Sequence, residues 1–199
     1  MTAPVLVSRT LAQRGRVAAA IVGALESEAG LAELRRLLAD LPGSPDDDTV
    51  ARRLRRGLEV AEAHHGEVVS VVPAFERALL QGAVLFQAGL FFEVHEVLER
   101  VWRELAGARR TVTQGLIQIA VGMHHLAHDN PRGAVSLFAS GRARLASQGP
   151  VFEGVEVEAL LAGLGPWETA ALAGRWSPTL ALPPFVVRVG DGRRVGGTK

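Results

Sequence analysis

Apolar side chains recur at three- and four-residue spacing through most of the chain, the pattern of helices that bury one face. Val17, Ile21 and Leu25, then Leu31, Leu34 and Leu38, place such helices within residues 8–40, with Gly30 as the expected break. LPGSPDDD at 41–48 is a linker by its prolines, glycine and aspartates. Any of Asp46, Asp47 and Asp48 can cap the next helix, because a short carboxylate accepts orphan backbone N–H groups. That helix is expected over about 49–65, closing at His64, His65 and Gly66, where a polar or cationic side chain complements the helix dipole. Pro73 then opens a helix over 74–89, followed by helices at about 91–106, 111–128 and 132–147. A short helix is expected at 155–164 and another from Trp167 to Trp176. PTLALPPFVVRV is extended, because its prolines forbid a helix. The closing GDGRRVGGTK is expected to be disordered.

A faint internal repeat of about 41 residues sets Ala88-Gly89 over Asp129-Asn130, each copy reading as a helix end, a tight turn and a helix start. Stacked helical hairpins of the tetratricopeptide kind have this form, although their full signature is missing. The expected fold is therefore all-α: antiparallel helical hairpins packed as a small bundle, weakly tetratricopeptide-like, with an extended Pro-rich C-terminal segment.

Composition narrows the classes of function. Of 22 basic residues only Lys199 is lysine, and the net charge is +1, which argues against a nucleic-acid binder. Cysteine is absent, which removes disulfides, thiolate catalysis and Cys-based zinc sites. No apolar run reaches the ~18 residues of a membrane span, and the N-terminus lacks the basic and apolar regions of a secretory signal. A cytoplasmic protein, with no membrane and compatible with a homo-oligomer, is the expectation. The Arg run of 49–65 is expected to be a solvated face rather than a phosphate site.

Chemically capable side chains concentrate in 88–130. On the 91–106 helix, Phe91, Val94, Leu98, Val101 and Leu105 form one face. His95 and Trp102 border it, with Glu99 just beyond and Glu93 near the opposite border. Glu96–Arg100 and Glu99–Arg103 have ion-pair spacing. On 111–128, Gln114, Gln118 and His125 make one polar stripe and His124 with His128 another, the latter at a helix end where solvated rings are expected. Antiparallel packing through a turn at Gly107-Ala108-Arg109 is expected to set Gln114, Gln118 and His125 against His95 and Glu99. Four readings compete. His95, Glu99 and His125 make a two-His-one-carboxylate set suited to a divalent metal such as zinc. His95 with a carboxylate makes a metal-free acid/base pair. The cluster could instead bind a small polar ligand without chemistry, or lock the hairpin as a buried hydrogen-bonded network. The motifs of serine hydrolases, P-loops and dinucleotide-binding folds are absent.

FQAGLFFEVHEVLERVWREL, QGLIQIAVGMHHLAHDNPRGAVSLF and GVEVEALLAGL resemble the bacterial and archaeal domain-of-unknown-function family 309 over about 73–185, most specifically at 89–102. The resemblance implies a small all-α fold and a polar set at Glu93, His95, Glu96, Glu99, Trp102, Gln114, Gln118 and His125. It brings no activity. Val94 replaces the family's usual Ala, Asp129 replaces the Gly before Asn130, His124 stands where an aromatic is common, and His128 lies outside the pattern. The expected organisation is a helical extension at 1–70, the family-like domain at 73–185 and a disordered tail at 186–199. The expected function is a helical module that binds a small ligand or a protein partner; the alternative is a metal-dependent enzyme, a hydrolase, using His95, Glu99 and His125.

Overall fold

The computed structural model describes residues 11–41, 49–71, 73–174, 180–190 and 192–197. Its described residues form eight α-helices and one small β-hairpin, an all-α fold. No described helix is long and apolar enough to cross a membrane. Two compact units divide the chain, Met1–Val72 and Pro73–Lys199.

The first unit packs α1 (Leu11–Glu26), α2 (Glu28–Ala39) and α3 (Thr49–Ser70) against one another. Val17, Ile21, Leu25, Leu31, Leu34 and Leu54 are buried there. The break between α1 and α2 falls at Ser27 rather than at Gly30. Ser27 is extended, and its hydroxyl accepts the Gly30 N–H at 3.0 Å, supplying the cap that a new helix needs. Gly30 lies inside α2 for a different reason: a Cβ there would run into the Gly23 carbonyl, so its missing side chain lets two helix backbones meet. α3 continues to Ser70, five residues past its expected end, so His64 and His65 are not at its terminus. His65 instead crosses to α1, its Nδ1 3.1 Å from the Ala24 carbonyl, with Nε2 3.3 Å from Glu28. The Asp46–Asp48 cap lies outside the described residues.

The second unit is built on α4 (Ala74–Gln87), whose residues 78–86 are all buried. It is followed by α5 (Phe91–Trp102), which packs on it, and by α6 (Gly107–Leu126), α7 (Pro131–Ala146) and α8 (Val157–Leu172). α6 packs between α5 and α7, and α8 covers α7. α8 is one continuous helix carrying Pro166 in its middle, where two short helices were expected. The segment expected to be a disordered tail contributes structure: β1 (Val186–Arg188) pairs antiparallel with β2 (Arg194–Gly196) and lies on α4. Phe185 is buried against Phe86, ring centroids 5.9 Å apart, and the Gln87 amide donates to the Pro183 carbonyl at 2.9 Å. Apolar Phe185, Val186, Val187 and Val195 have an α4 surface to bury, and that burial holds the hairpin in place.

The internal repeat is real in the backbone, and its period is 40 rather than 41. Gly89 (φ +74) and Asp129 (φ +53) occupy the same left-handed position. Leu90 N–H donates to Leu85 O at 3.0 Å and Gly89 N–H to Phe86 O at 2.9 Å. Forty residues on, Asn130 N–H donates to His125 O at 2.9 Å and Asp129 N–H to Leu126 O at 3.1 Å. α5 begins at Phe91 and α7 at Pro131, keeping the same offset. Both turns are helix C-caps in which a left-handed residue lets the chain satisfy the last carbonyls. At Asp129 that conformation carries a Cβ penalty which Gly89 avoids. Asp129→Gly is accordingly expected to stabilise the protein by up to about 1 kcal/mol, raising the melting temperature by a few degrees. A lower melting temperature in that variant would show that the aspartate makes a compensating contribution of its own.

Candidate functional site

The polar cluster begins on α5, whose twelve residues present Val94, Val97 and Leu98 inward. One residue along from Val94, His95 sits at the border of that face, with its side chain 28% exposed. Its Nδ1 lies 3.2 Å from Glu96 Oε1 and its Nε2 3.0 Å from Glu99 Oε2. Glu99 in turn takes Arg103 Nη2 on its other oxygen at 3.1 Å. The Glu99–Arg103 spacing therefore pairs as expected, while Glu96 turns to His95. Glu96 and Glu99 are each about one-third exposed, so this trio is a partly solvated rim and not a buried core network. Glu93 differs from them in being buried, at 1% exposure.

At the end of α5, Trp102 has a structural part. The Arg110 guanidinium stacks on its indole at 3.9 Å and donates Nη1 to the carbonyls of Trp102, at 2.9 Å, and Leu105, at 3.3 Å. A cation at a helix C-terminus satisfies orphan carbonyls and complements the dipole. α5 consequently stops at Trp102, the turn is Arg103–Ala106, and the expected turn residues Gly107, Ala108 and Arg109 are already the first turn of α6. The Trp102 Nε1 is buried with no hydrogen-bond partner among the described residues.

The stripe on α6 does not meet the α5 trio. Gln118 borders α7: a Cβ on Gly141 would touch its Cβ at 3.4 Å, and its Oε1 is buried with no partner among the described residues. Gln114 is half-buried on the same side of the helix. His125 belongs to the α6–α7 corner. Its Nδ1 accepts the Asn130 side-chain N–H at 2.8 Å, while Asn130 Oδ1 caps α7 by accepting Gly133 N–H at 3.0 Å. One asparagine thus ties the end of one helix to the start of the next. The histidine that approaches α5 is His124, about 100° round the helix from His125. Phe92 bridges the two helices, its ring 6.0 Å from His95 and 5.7 Å from His124, and His128 stacks on His124 at 4.1 Å. Phe92 and His124 therefore join the cluster without having been expected in it, and no spacing along α6 marks His124 as the face turned toward α5.

His95, Glu99 and His125, the set expected for a metal, are not assembled. Both His95 nitrogens face carboxylates, and His125 Nδ1 is taken by Asn130. Among the described residues no group of three or more His, Asp or Glu side chains is placed to hold a metal ion.

Residues 79–137 match the model of a domain of unknown function, DUF309. The match runs from α4 into α7 and contains every member of the cluster. No curated protein matches the chain.

Proposed function

Through residues 79–137 this chain belongs to the DUF309 family, and on that footing we propose a helical binding module whose recognition face is the His95–Glu96–Glu99 rim of α5. The supporting observation is that, among the described residues, the ion pairs of the trio tie no other helix to α5. Among the described residues, the ion-pair partners of His95 and Glu99 lie on α5 or at its C-cap residue Arg103, within four residues. Exposed pairs at such spacing contribute only about 0.3–0.5 kcal/mol, too little to make them the lock of a hairpin. A charged, prearranged and accessible group that does little for stability is the profile of a contact surface. Carboxylates are acceptors only, so the face suits a small polar ligand that donates hydrogen bonds, an amine or a guanidinium.

The test combines stability with binding. His95→Ala is expected to change the melting temperature by no more than about 1–2 °C, in keeping with exposed pairs. Titration with free arginine and with spermidine, followed by NMR, is expected to perturb the resonances of His95 and Glu99 in the wild type and not in Glu96→Gln/Glu99→Gln. A loss of several degrees in His95→Ala would return the trio to a structural role. No perturbation by either amine would eliminate the proposed ligand class.

A further inference from the structure

His124 and His128 lie outside the trio and take no part in the binding reading above. They are four residues apart across the last turn of α6 and the residues that follow it, with ring centroids 4.1 Å apart and planes 44° apart. His128 Nδ1 is 2.8 Å from the His124 backbone carbonyl. A carbonyl can only accept, so Nδ1–H is the donor and Nε2 is the ring nitrogen left to face a metal ion. A histidine whose other ring nitrogen donates to a backbone carbonyl is held in the tautomer and orientation that metal ligation uses. The His124 ring also lies beside Phe92, with centroids 5.7 Å apart. His128 is exposed, so an ion can reach it from solvent.

We propose that His124 and His128 form a two-imidazole site for a first-row transition-metal ion, with water completing the coordination. Two ligands fall short of a three-residue group, so the site is open and of modest affinity. Imidazole pairs follow the general order of divalent affinities, which peaks at copper, so Cu2+ is the ion expected to bind most tightly.

The experiment uses the untagged full chain and Cu2+ alone, with calorimetry for affinity and electron paramagnetic resonance for the ligand set. One Cu2+ per chain is expected, with superhyperfine splitting from two imidazole nitrogens. His128→Ala, an exposed change that leaves the fold intact, should weaken binding by about tenfold or more, since even an outer-shell partner is worth that much, and should remove one nitrogen from the splitting. His64→Ala, in the first unit, should leave both unchanged. Equal affinity and an unchanged spectrum in His128→Ala would overturn the proposal, as would the absence of nitrogen coupling in the wild type.

Discussion

Phe138→Ala is expected to be severely destabilising, costing about 3–5 kcal/mol as buried phenylalanine deletions do and lowering the melting temperature by roughly 10–20 °C. Phe138 is fully buried on α7, and its ring lies over a glycine of α6: a Cβ on Gly122 would come within 2.5 Å of Phe138 Cε1 and 2.7 Å of Cδ1. The same fit recurs one turn on at Gly141, where a Cβ would meet the Gly115 carbonyl and Ile119 Cγ1, each at 2.9 Å. α6 and α7 thus approach through a ring seated in a glycine gap, and the reverse change should fail as well. Gly122→Ala is expected to cost about 1–3 kcal/mol by overpacking. The two sites touch, so their effects should not add. In Gly122→Ala/Phe138→Leu the smaller side chain gives the new methyl room, and the double variant should be more stable than the sum of the single changes allows. Denaturant melts of the four proteins decide it: strict additivity would mean that the helices separate locally and the fit is not shared.

This contact also shows where the chain was legible and where it was not. Helices α4, α5 and α7 were readable to within a few residues because their apolar spacing and their turns at Gly89 and Pro131 agree. Ends were read less well where a distant partner decides them. The end of α5 depends on Arg110 reaching back over Trp102, and the length of α3 on packing that no local breaker announces. Gly30 looked like a breaker because a glycine near a helix end usually is one; here it serves close approach, which only the neighbouring helix reveals. The site divides in the same way. His95 with Glu99 was visible as a four-residue spacing within one helix. Which side of α6 would face it was not, because nearly every face of that helix is apolar and its rotation is set by Gly115 and Gly122 packing against α7, where Leu145, Gly141 and Phe138 meet them. Ion pairs spanning long separations, Arg109 with Glu153 and Arg142 with Glu168, left no local pattern to read.

Another of those long-range partnerships carries a pH-dependent prediction. Glu156 stands at the N-cap position of α8 at 8% exposure, and its carboxylate receives Arg194 Nη2 at 2.6 Å and Arg188 Nη2 at 2.7 Å, one from each strand of the hairpin. Its backbone N–H also donates to the Val186 carbonyl at 3.1 Å, so strand and helix start are held by the same residue. The hydrogen bond from Arg194 is the main cause that holds the Glu156 carboxyl below its ordinary value; partial burial opposes it, and the charges of both arginines reinforce it. A carboxylate whose folded pKa is depressed contributes stability that is present above the unfolded value, about 4.3 for glutamate, and is lost as pH falls through the folded value. Glu156→Gln keeps the shape and removes the charge. It is expected to melt several degrees below the wild type at neutral pH, because both guanidinium groups lose their counter-charge. The gap should shrink once the pH drops below about 4 and close when the wild-type carboxyl is itself protonated. Part of it should also be lost in high salt, since both arginines are half-exposed. Melting both proteins across this range gives the answer directly. A difference that stays constant down to the lowest pH would mean that the amide disturbs packing, and that the charge of Glu156 does not hold the hairpin to the helical core.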